Sequence, residues 1–521
     1  MLFRLQNSPF YKPFDGVSFP KDPLFNFPIS RYNIFPHDRS TFSATDSAGR
    51  NDPYRGQKGV FIMYQIDFNR PQNVHFIGIG GISMSGLAEI LVGRGFKVTG
   101  SDAKQSPLTL SLEEKGIRVF YGQRSANILP ETELVVYTAA IHPDNPEFKE
   151  AAARNLPMLT RAELLGQIMR NYRTPIAVSG THGKTTTTSM LASVLLAAES
   201  DPTVTVGGIL PAIGGNIRVG GSDIFVAEAC EYTNSFLSFF PRISIILNVD
   251  ADHLDFFKDI DDIRNSFRRF AELLPEDGVL IINADTPEYQ KIAEGLPCKV
   301  ITYSLSGDAD YRASDISYDK YGHPSFTVIR NGRKAGSFYL RVPGEHNVSN
   351  ALSVIAACEI LQIPADAIVK GLGSFTGTDR RFQLKGEIGG VTVIDDYAHH
   401  PTEIRATLRA AATYPHKKLW CVFQPHTYTR TKALLDEFAA ALSSADHVVL
   451  AEIYAAREQN TIGISSADLQ EKIVALGTPC EYFSTFDEIE NYLLSNCESG
   501  DLLITMGAGD VVAIGEHLLG K

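Results

Sequence analysis

From Val74 onward, short apolar runs alternate with longer amphipathic stretches, the pattern of strands and helices in doubly wound parallel sheets. Three successive units are legible. The first predicts strands over 74–79, 97–100, 117–120 and 134–138, with a helix from Ser85 to Arg94. The second opens at strand Ile176–Ser179 and adds strands over 223–227, 243–248 and 279–282. It closes with a hairpin-like stretch at 326–342 and a helix over 347–361. The third follows the Gly-rich segment 371–377 and predicts strands over 391–395, 419–423, 447–451 and 502–505. The expected architecture is α/β in three domains, over 63–170, 171–377 and 378–521.

Residues 1–62 break this pattern. Prolines at 9, 13, 20, 23, 28, 36 and 53 interrupt every candidate helix, and the stretch 40–59 is polar and Gly/Ser-rich. A disordered or non-native extension is expected here, with the functional chain opening near Met63.

Composition narrows the class. Sixty acidic residues against 48 Lys and Arg leave a net charge of −12 over 521 residues. A nucleic-acid binder or a membrane-surface protein needs a basic face, and this balance argues against both. An acidic protein that handles anions must gather positive potential locally, from helix N-termini and a few placed cations. The six cysteines form no C-x-x-C pair and no metal-ligand spacing, which points to a reducing compartment. No apolar run approaches the ~18 residues of a membrane span, and the N-terminus lacks the apolar stretch of a signal peptide. A cytoplasmic location without membrane insertion is expected.

The strongest local signal is Val178-Ser-Gly-Thr-His-Gly-Lys-Thr-Thr-Thr-Thr188. A strand enters the turn Gly180-Thr181-His182-Gly183, and a helix begins at Lys184. Such a turn aims backbone N–H groups and a helix dipole at a phosphate. Lys184 is expected to reach phosphate oxygens, and Thr185, followed by Thr186, to place a hydroxyl on Mg²⁺. Val178 stands where the usual phosphate loop has its first glycine, so this loop is shorter at its start.

Acidic and imidazole groups follow at strand ends: Glu228 in Ala-Glu-Ala-Cys-Glu-Tyr, and His253 in Asn-Val-Asp-Ala-Asp-His. Ligands of open α/β sheets bind beyond the carboxyl ends of strands, so both should face the phosphate loop. A carboxylate and an imidazole there can hold Mg²⁺ between nucleotide phosphates and a second substrate. An earlier turn, Ile77-Gly-Ile-Gly-Gly-Ile-Ser-Met-Ser-Gly86, carries Gly78, Gly80 and Gly81 but has Ser83 for the third glycine of G-x-G-x-x-G. With Asp102 at the end of the next strand, near the offset of a ribose contact, it suits a diphosphate on a helix N-terminus.

The third unit carries Asp395-Asp-Tyr-Ala-His-His-Pro-Thr-Glu403 and Gln424-Pro-His-Thr-Tyr-Thr-Arg430 after successive strands, so two polar loops line one crevice. No third ligand has the spacing for a transition metal beside His399 and His400, which read as turn or supporting residues. Gly377-Thr-Asp-Arg-Arg-Phe382 sets two arginines at the entry to this unit. Either Arg380 or Arg381 can meet a phosphoryl group, and Arg430 a carboxylate.

In this order, together with Gly344-Glu-His-Asn-Val-Ser-Asn350, the motifs resemble the Mur ligases of peptidoglycan synthesis over about residues 70–521. The Asp-Asp-Tyr-x-His-His-Pro-Thr-Glu motif is similar to the branch that joins L-alanine to UDP-N-acetylmuramate. A sister branch adding a preformed peptide or another amino acid is the alternative. The resemblance implies a Rossmann-like UDP-binding domain, a central P-loop ATPase domain with a mostly parallel sheet, and a Rossmann-like C-terminal domain closing over ATP. It implies that Gly78, Gly80, Gly81, Ser83, Asp102, His182 and Asn216 hold the UDP-sugar. Gly180 to Thr186, Asn347, Asn350 and Arg381 then hold ATP, and Thr185, Glu228 and His253 hold Mg²⁺. Lys184, Glu228, His253, Arg381 and Asp396 are the implied catalytic set, and Tyr397 and Arg430 bind the amino acid. Other Mur ligases carry a modified lysine after the Asp-His segment; Ile263-Arg-Asn-Ser-Phe-Arg-Arg-Phe270 has none, as the alanine-adding branch is expected to lack it.

The implied reaction phosphorylates the lactyl carboxylate with ATP, and the amine of L-alanine then displaces phosphate. No residue stands out as the base for that amine, and His399 is the candidate. An NAD-dependent oxidoreductase would account for the first glycine turn and leave Gly180–Thr185 unexplained.

Overall fold

The computed structural model describes residues 64–521, apart from 139–140, 254–255 and 457; the extension expected over 1–62 lies outside the described residues. Three sheets follow one another along the chain. The first contains β1 (Asn73–Ile77), β2 (Lys97–Asp102), β3 (Arg118–Tyr121), β4 (Leu134–Tyr137) and β5 (Met158–Thr160). Its order is β3-β2-β1-β4-β5, all parallel. The order reverses between β1 and β4, so the crevice at their carboxyl ends opens beside the turn Gly78–Gly81.

The central sheet runs through β6 (Thr174–Ser179), β7 (Thr203–Leu210), β8 (Gly215–Arg218), β9 (Ile224–Ala229) and β10 (Ile243–Ile246). It continues with β11 (Val279–Asn283), β12 (Lys299–Ser304), β13 (Tyr311–Tyr318), β14 (Pro324–Arg330) and β15 (Arg333–Tyr339). The order β15-β14-β13-β12-β11-β10-β6-β9-β7-β8 sets β6 between β10 and β9, each parallel to it. The loops leaving these three strands therefore converge at one edge. The interior strands are buried on both faces, Ile243–Ile246 throughout, as parallel strands under helices must be.

The last sheet holds β16 (Gln383–Ile388), β17 (Val391–Asp396), β18 (Leu419–Phe423), β19 (His447–Leu450), β20 (Cys480–Tyr482) and β21 (Leu502–Met506), in the order β16-β17-β21-β18-β19-β20. All but β16 are parallel. Both Rossmann-like sheets thus flank a central P-loop domain.

Close approaches at two glycines seat the first domain on the central one. A Cβ on Gly166 would meet Ser238 O at 1.9 Å, and one on Gly86 would meet Ile217 Cδ1 at 2.3 Å. One hydrophobic core joins Val74, Leu134 and Leu164 to Phe225, Phe236 and Phe267 across this boundary. Among the described residues no helix is long and apolar enough to cross a membrane.

Candidate active site

β6 ends in the phosphate-loop turn. Gly180 takes φ +143°, and a Cβ there would stand 2.9 Å from Leu247 Cβ; Gly183, at φ +85°, immediately precedes the helix Lys184–Ala197. Glycine alone adopts these conformations without strain. The turn is pinned from the loop after β10. His182 N donates to Asn248 Oδ1 at 2.8 Å, and Asp250 N donates to Thr181 Oγ1 at 2.9 Å. Lys184 Nζ donates to Gly180 O, to Thr181 O at 3.0 Å and to Glu231 Oε2 at 2.9 Å. Burial opposes the lysine's charge, but Glu231 and its neighbours prevail and raise its pKa.

Thr185 Oγ1 donates to Glu228 Oε2 at 3.2 Å, and Gly207 N to Glu228 Oε1 at 2.6 Å. Burial pushes the Glu228 carboxyl up in spite of Lys184 and Arg381. A half-buried carboxylate short of positive charge, beside a hydroxyl, is a hard-oxygen donor set that fits Mg²⁺. His253, at φ +54°, lies against the Tyr232 ring at 4.6 Å. Its Nε2 stands 3.8 Å from Glu231 Oε1, so Glu231 links His253 to Lys184.

A cavity of about 420 Å³ opens between the central and C-terminal domains, lined by Gly183, Thr186, Asn347, Asn350, Arg381 and Asp396 among others. Asn347 Nδ2 donates to Pro343 O at 2.8 Å, and Asn350 Nδ2 to Asn347 Oδ1 at 3.2 Å, which fixes both amides at the cavity wall. The two arginines point to different surroundings. Arg380 is taken up by Asp395 at 3.0 Å and by the carbonyls of Gly507 and Gly509, whereas Arg381 faces the cavity. Asp396 accepts from Phe382 N and Ala398 N at 2.8 and 2.7 Å, and burial lifts its carboxyl to about 6 against the pull of Arg381.

His182 also lines this cavity. Its Nδ1 lies 3.1 Å from Glu403 Oε1 of the C-terminal domain and its Nε2 3.5 Å from Asp250 Oδ2. Burial works against the imidazolium, but Glu403 and Asp250 raise it to about 9. Expected at both the nucleotide and the sugar, His182 lines this cavity and not the one that holds Ser83 and Asn216. Its ring is drawn there by the two carboxylates.

A second cavity, of about 610 Å³, brings His253, Tyr397 and Arg430 together. Arg430 Nη2 lies 3.1 Å from Asp252 Oδ1, an ion pair between domains. Burial raises the Asp252 carboxyl, but Arg430 and His253 outweigh it and hold the group well below the usual range. Thr427 lines the same cavity at φ +70°, a strained conformation for a β-branched residue. His399 Nδ1 sits 3.0 Å from Tyr397 O, and burial brings its pKa down to about 4. His400 caps the helix Pro401–Ala412, accepting from Thr402 N.

A third cavity, of about 130 Å³, connects Ser83 and Asn216 to Glu228. Asn216 Nδ2 donates across the domain boundary to Ile82 O at 3.0 Å. Asp102 supports the glycine turn, accepting from Gly80 N at 2.8 Å and from Ala103 N at 2.7 Å. A Cβ on Gly78 would stand 2.9 Å from Thr138 Cγ2, and Gly81 precedes the helix Ile82–Gly93. Arg161 reaches into this cavity. Burial lowers its pKa while Cys230 and Glu228 act the other way.

Residues 73–173 match the Mur ligase family, catalytic domain; 178–358 the Mur ligase middle domain; and 380–509 the Mur ligase, glutamate ligase domain. The UDP-N-acetylmuramate–L-alanine ligase of Lachnospira eligens is 62% identical over 458 residues, covering 88% of this chain and 100% of that one. The chain belongs to the Mur ligase family.

Other relatives agree. The corresponding ligase of Agathobacter rectalis is 60% identical over 459 residues, with 88% of this chain and 100% of that one covered. Among solved structures, the UDP-N-acetylmuramate-alanine ligase of Thermotoga maritima aligns with a TM-score of 0.72 at 29% identity, covering 86% of this chain and 98% of that one. A murein peptide ligase from Psychrobacter arcticus aligns at 0.63 and 27%, with the same coverage. Within this Mur ligase, Glu231, Asp252, Glu403 and Arg161 join the sites without having been singled out from sequence. The first three lie inside motifs that drew attention to their neighbours; Arg161 lies in no motif.

Proposed function

We propose that this Mur ligase joins L-alanine to the carboxylate of UDP-N-acetylmuramate, driven by ATP with Mg²⁺, and releases ADP and phosphate for peptidoglycan synthesis. The observation that carries the reading is 62% identity along the full length of a relative bearing that activity as its name. The three cavities support it: one suits an adenine nucleotide, one an amino acid, and one joins the glycine turn of the first domain to Glu228. A cytoplasmic reaction is supported by the six free cysteines, because thiols stay reduced there.

A carboxylate is a poor electrophile until one of its oxygens carries a phosphoryl group. In the proposed first step the lactyl carboxylate oxygen attacks the terminal phosphorus of ATP, and the bond to ADP breaks. Lys184 and Arg381 would face the phosphate chain and stabilise the charge that spreads over the transferring group. Thr185, Glu228 and His253 would hold Mg²⁺, which supplies charge neutralisation between the phosphates and the carboxylate. In the second step the amine of L-alanine attacks the acyl carbon, and phosphate leaves with one former carboxylate oxygen. Arg430, oriented by Asp252, takes the amino-acid carboxylate, with Tyr397 beside it. His399, kept neutral by burial, is the candidate to take the proton from the amine. Closure of the C-terminal domain excludes water that would otherwise hydrolyse the acyl phosphate.

The test is phosphate release from MgATP and UDP-N-acetylmuramate, with L-alanine or with a preformed peptide. Release that needs L-alanine is expected. Release that needs the peptide instead would make this the sister ligase, whose larger acceptor the 610 Å³ cavity has room for.

A further inference from the structure

Glu231 is 1% exposed and grips Lys184 Nζ with both carboxylate oxygens, at 3.2 and 2.9 Å. An ammonium has three donors. Here the carbonyls of Gly180 and Thr181 and the Glu231 carboxylate take up that capacity, which leaves none for a phosphate. Two of the partners are backbone of the phosphate loop itself. The side chain is the partner that can leave without breaking the loop. A carboxylate so deeply buried cannot be left unpaired, because removing one member of a buried ion pair strands the other charge. The next group along is His253, 3.8 Å from Glu231 Oε1, braced by the Tyr232 ring.

We propose that Glu231 exchanges partners during the catalytic cycle. Without nucleotide it pairs with Lys184; when ATP arrives it yields Lys184 to the phosphate chain and turns to the divalent cation held beside His253. Glu231 is then a positioning residue for the lysine and a ligand-side carboxylate for the cation. This inference rests on the ATP-dependent reading above.

The experiment compares the full chain with Glu231→Gln and Glu231→Asp. ATP affinity is measured by calorimetry in EDTA, and Mn²⁺ affinity by electron paramagnetic resonance with a non-hydrolysable ATP analogue. Losing a competing charge-assisted bond is expected to tighten ATP about tenfold in Glu231→Gln without metal. The same variant is expected to bind Mn²⁺ at least about tenfold more weakly, with part of that affinity restored in Glu231→Asp. A static support for the loop would give the reverse sign, with weaker ATP binding in EDTA. Equal or weaker ATP binding, or unchanged Mn²⁺ affinity, overturns the exchange. Should Glu231→Gln fail to fold, Glu231→Asp carries the test alone, because its shorter reach to Lys184 must still tighten ATP. No ATP binding by the unaltered chain would overturn the functional reading together with the exchange, whereas equal binding by chain and variant overturns the exchange alone.

Discussion

Arg380 spends its guanidinium on the buried Asp395 carboxylate and on the carbonyls of Gly507 and Gly509, while Arg381, one residue on, faces the cavity between the central and C-terminal domains. The backbone enforces this division, since Arg380 and Phe382 both sit at positive φ, 61° and 49°. Arg381→Ala is expected to lower kcat about a hundredfold with little change in melting temperature. Arg380→Ala strands Asp395 and is expected to cost about 3 kcal/mol of stability. Paired melting and kinetic measurements check both; equal effects on stability would refute the assignment. Asp396 gives a pH prediction. Its carboxyl, lifted by burial to about 6, is protonated below that value and charged above it. Activity should therefore rise as pH passes through about 6, and the rise should vanish in Asp396→Asn. A rise that survives the substitution belongs to another group.

At the scale of elements, the clamp between the phosphate loop and the helix Pro401–Ala412 rests on His182 between Asp250 and Glu403. An imidazole raised from 6.5 to about 9 contributes stability that is complete below its unfolded pKa and is lost as pH climbs through the folded value. Hydrogen-exchange protection in that helix, taken relative to the intrinsic base-catalysed rate, is expected to fall between pH 7 and about 9. Glu403→Gln should remove the dependence; an unchanged profile would contradict it. Strands buried on both faces were legible as apolar runs, as with Leu419–Phe423 and Leu502–Met506. Two of the edge strands were not. Gly215–Arg218 is half-exposed throughout, and Gln383–Ile388 shows Leu384 to solvent, so neither carries an apolar run or a clean alternation. The site followed the same logic. Groups at the carboxyl ends of strands, such as Glu228 near the end of β9 and Lys184 in the turn-and-helix that follows β6, stand where topology decides their place. The partners Glu231 of Lys184, Asp252 of Arg430 and Glu403 of His182 depend on how loops and domains meet, which no local spacing encodes.

At the scale of the whole molecule, the proposed reaction has each domain deliver one reactant to a shared place, so the boundaries matter as much as the sites. A Cβ on Gly166 would meet Ser238 O at 1.9 Å, where the first domain rests on the central one. Gly166→Ala is expected to raise KM for UDP-N-acetylmuramate several-fold while leaving ATP affinity in place; an equal loss of both would point to general unfolding. The most direct measurement of the account is the fate of oxygen in the substrate carboxylate. UDP-N-acetylmuramate labelled with ¹⁸O in its lactyl carboxylate, turned over with ATP and L-alanine, should yield phosphate carrying one labelled oxygen and an amide retaining the other. Phosphate free of label would contradict an acyl phosphate formed at this site.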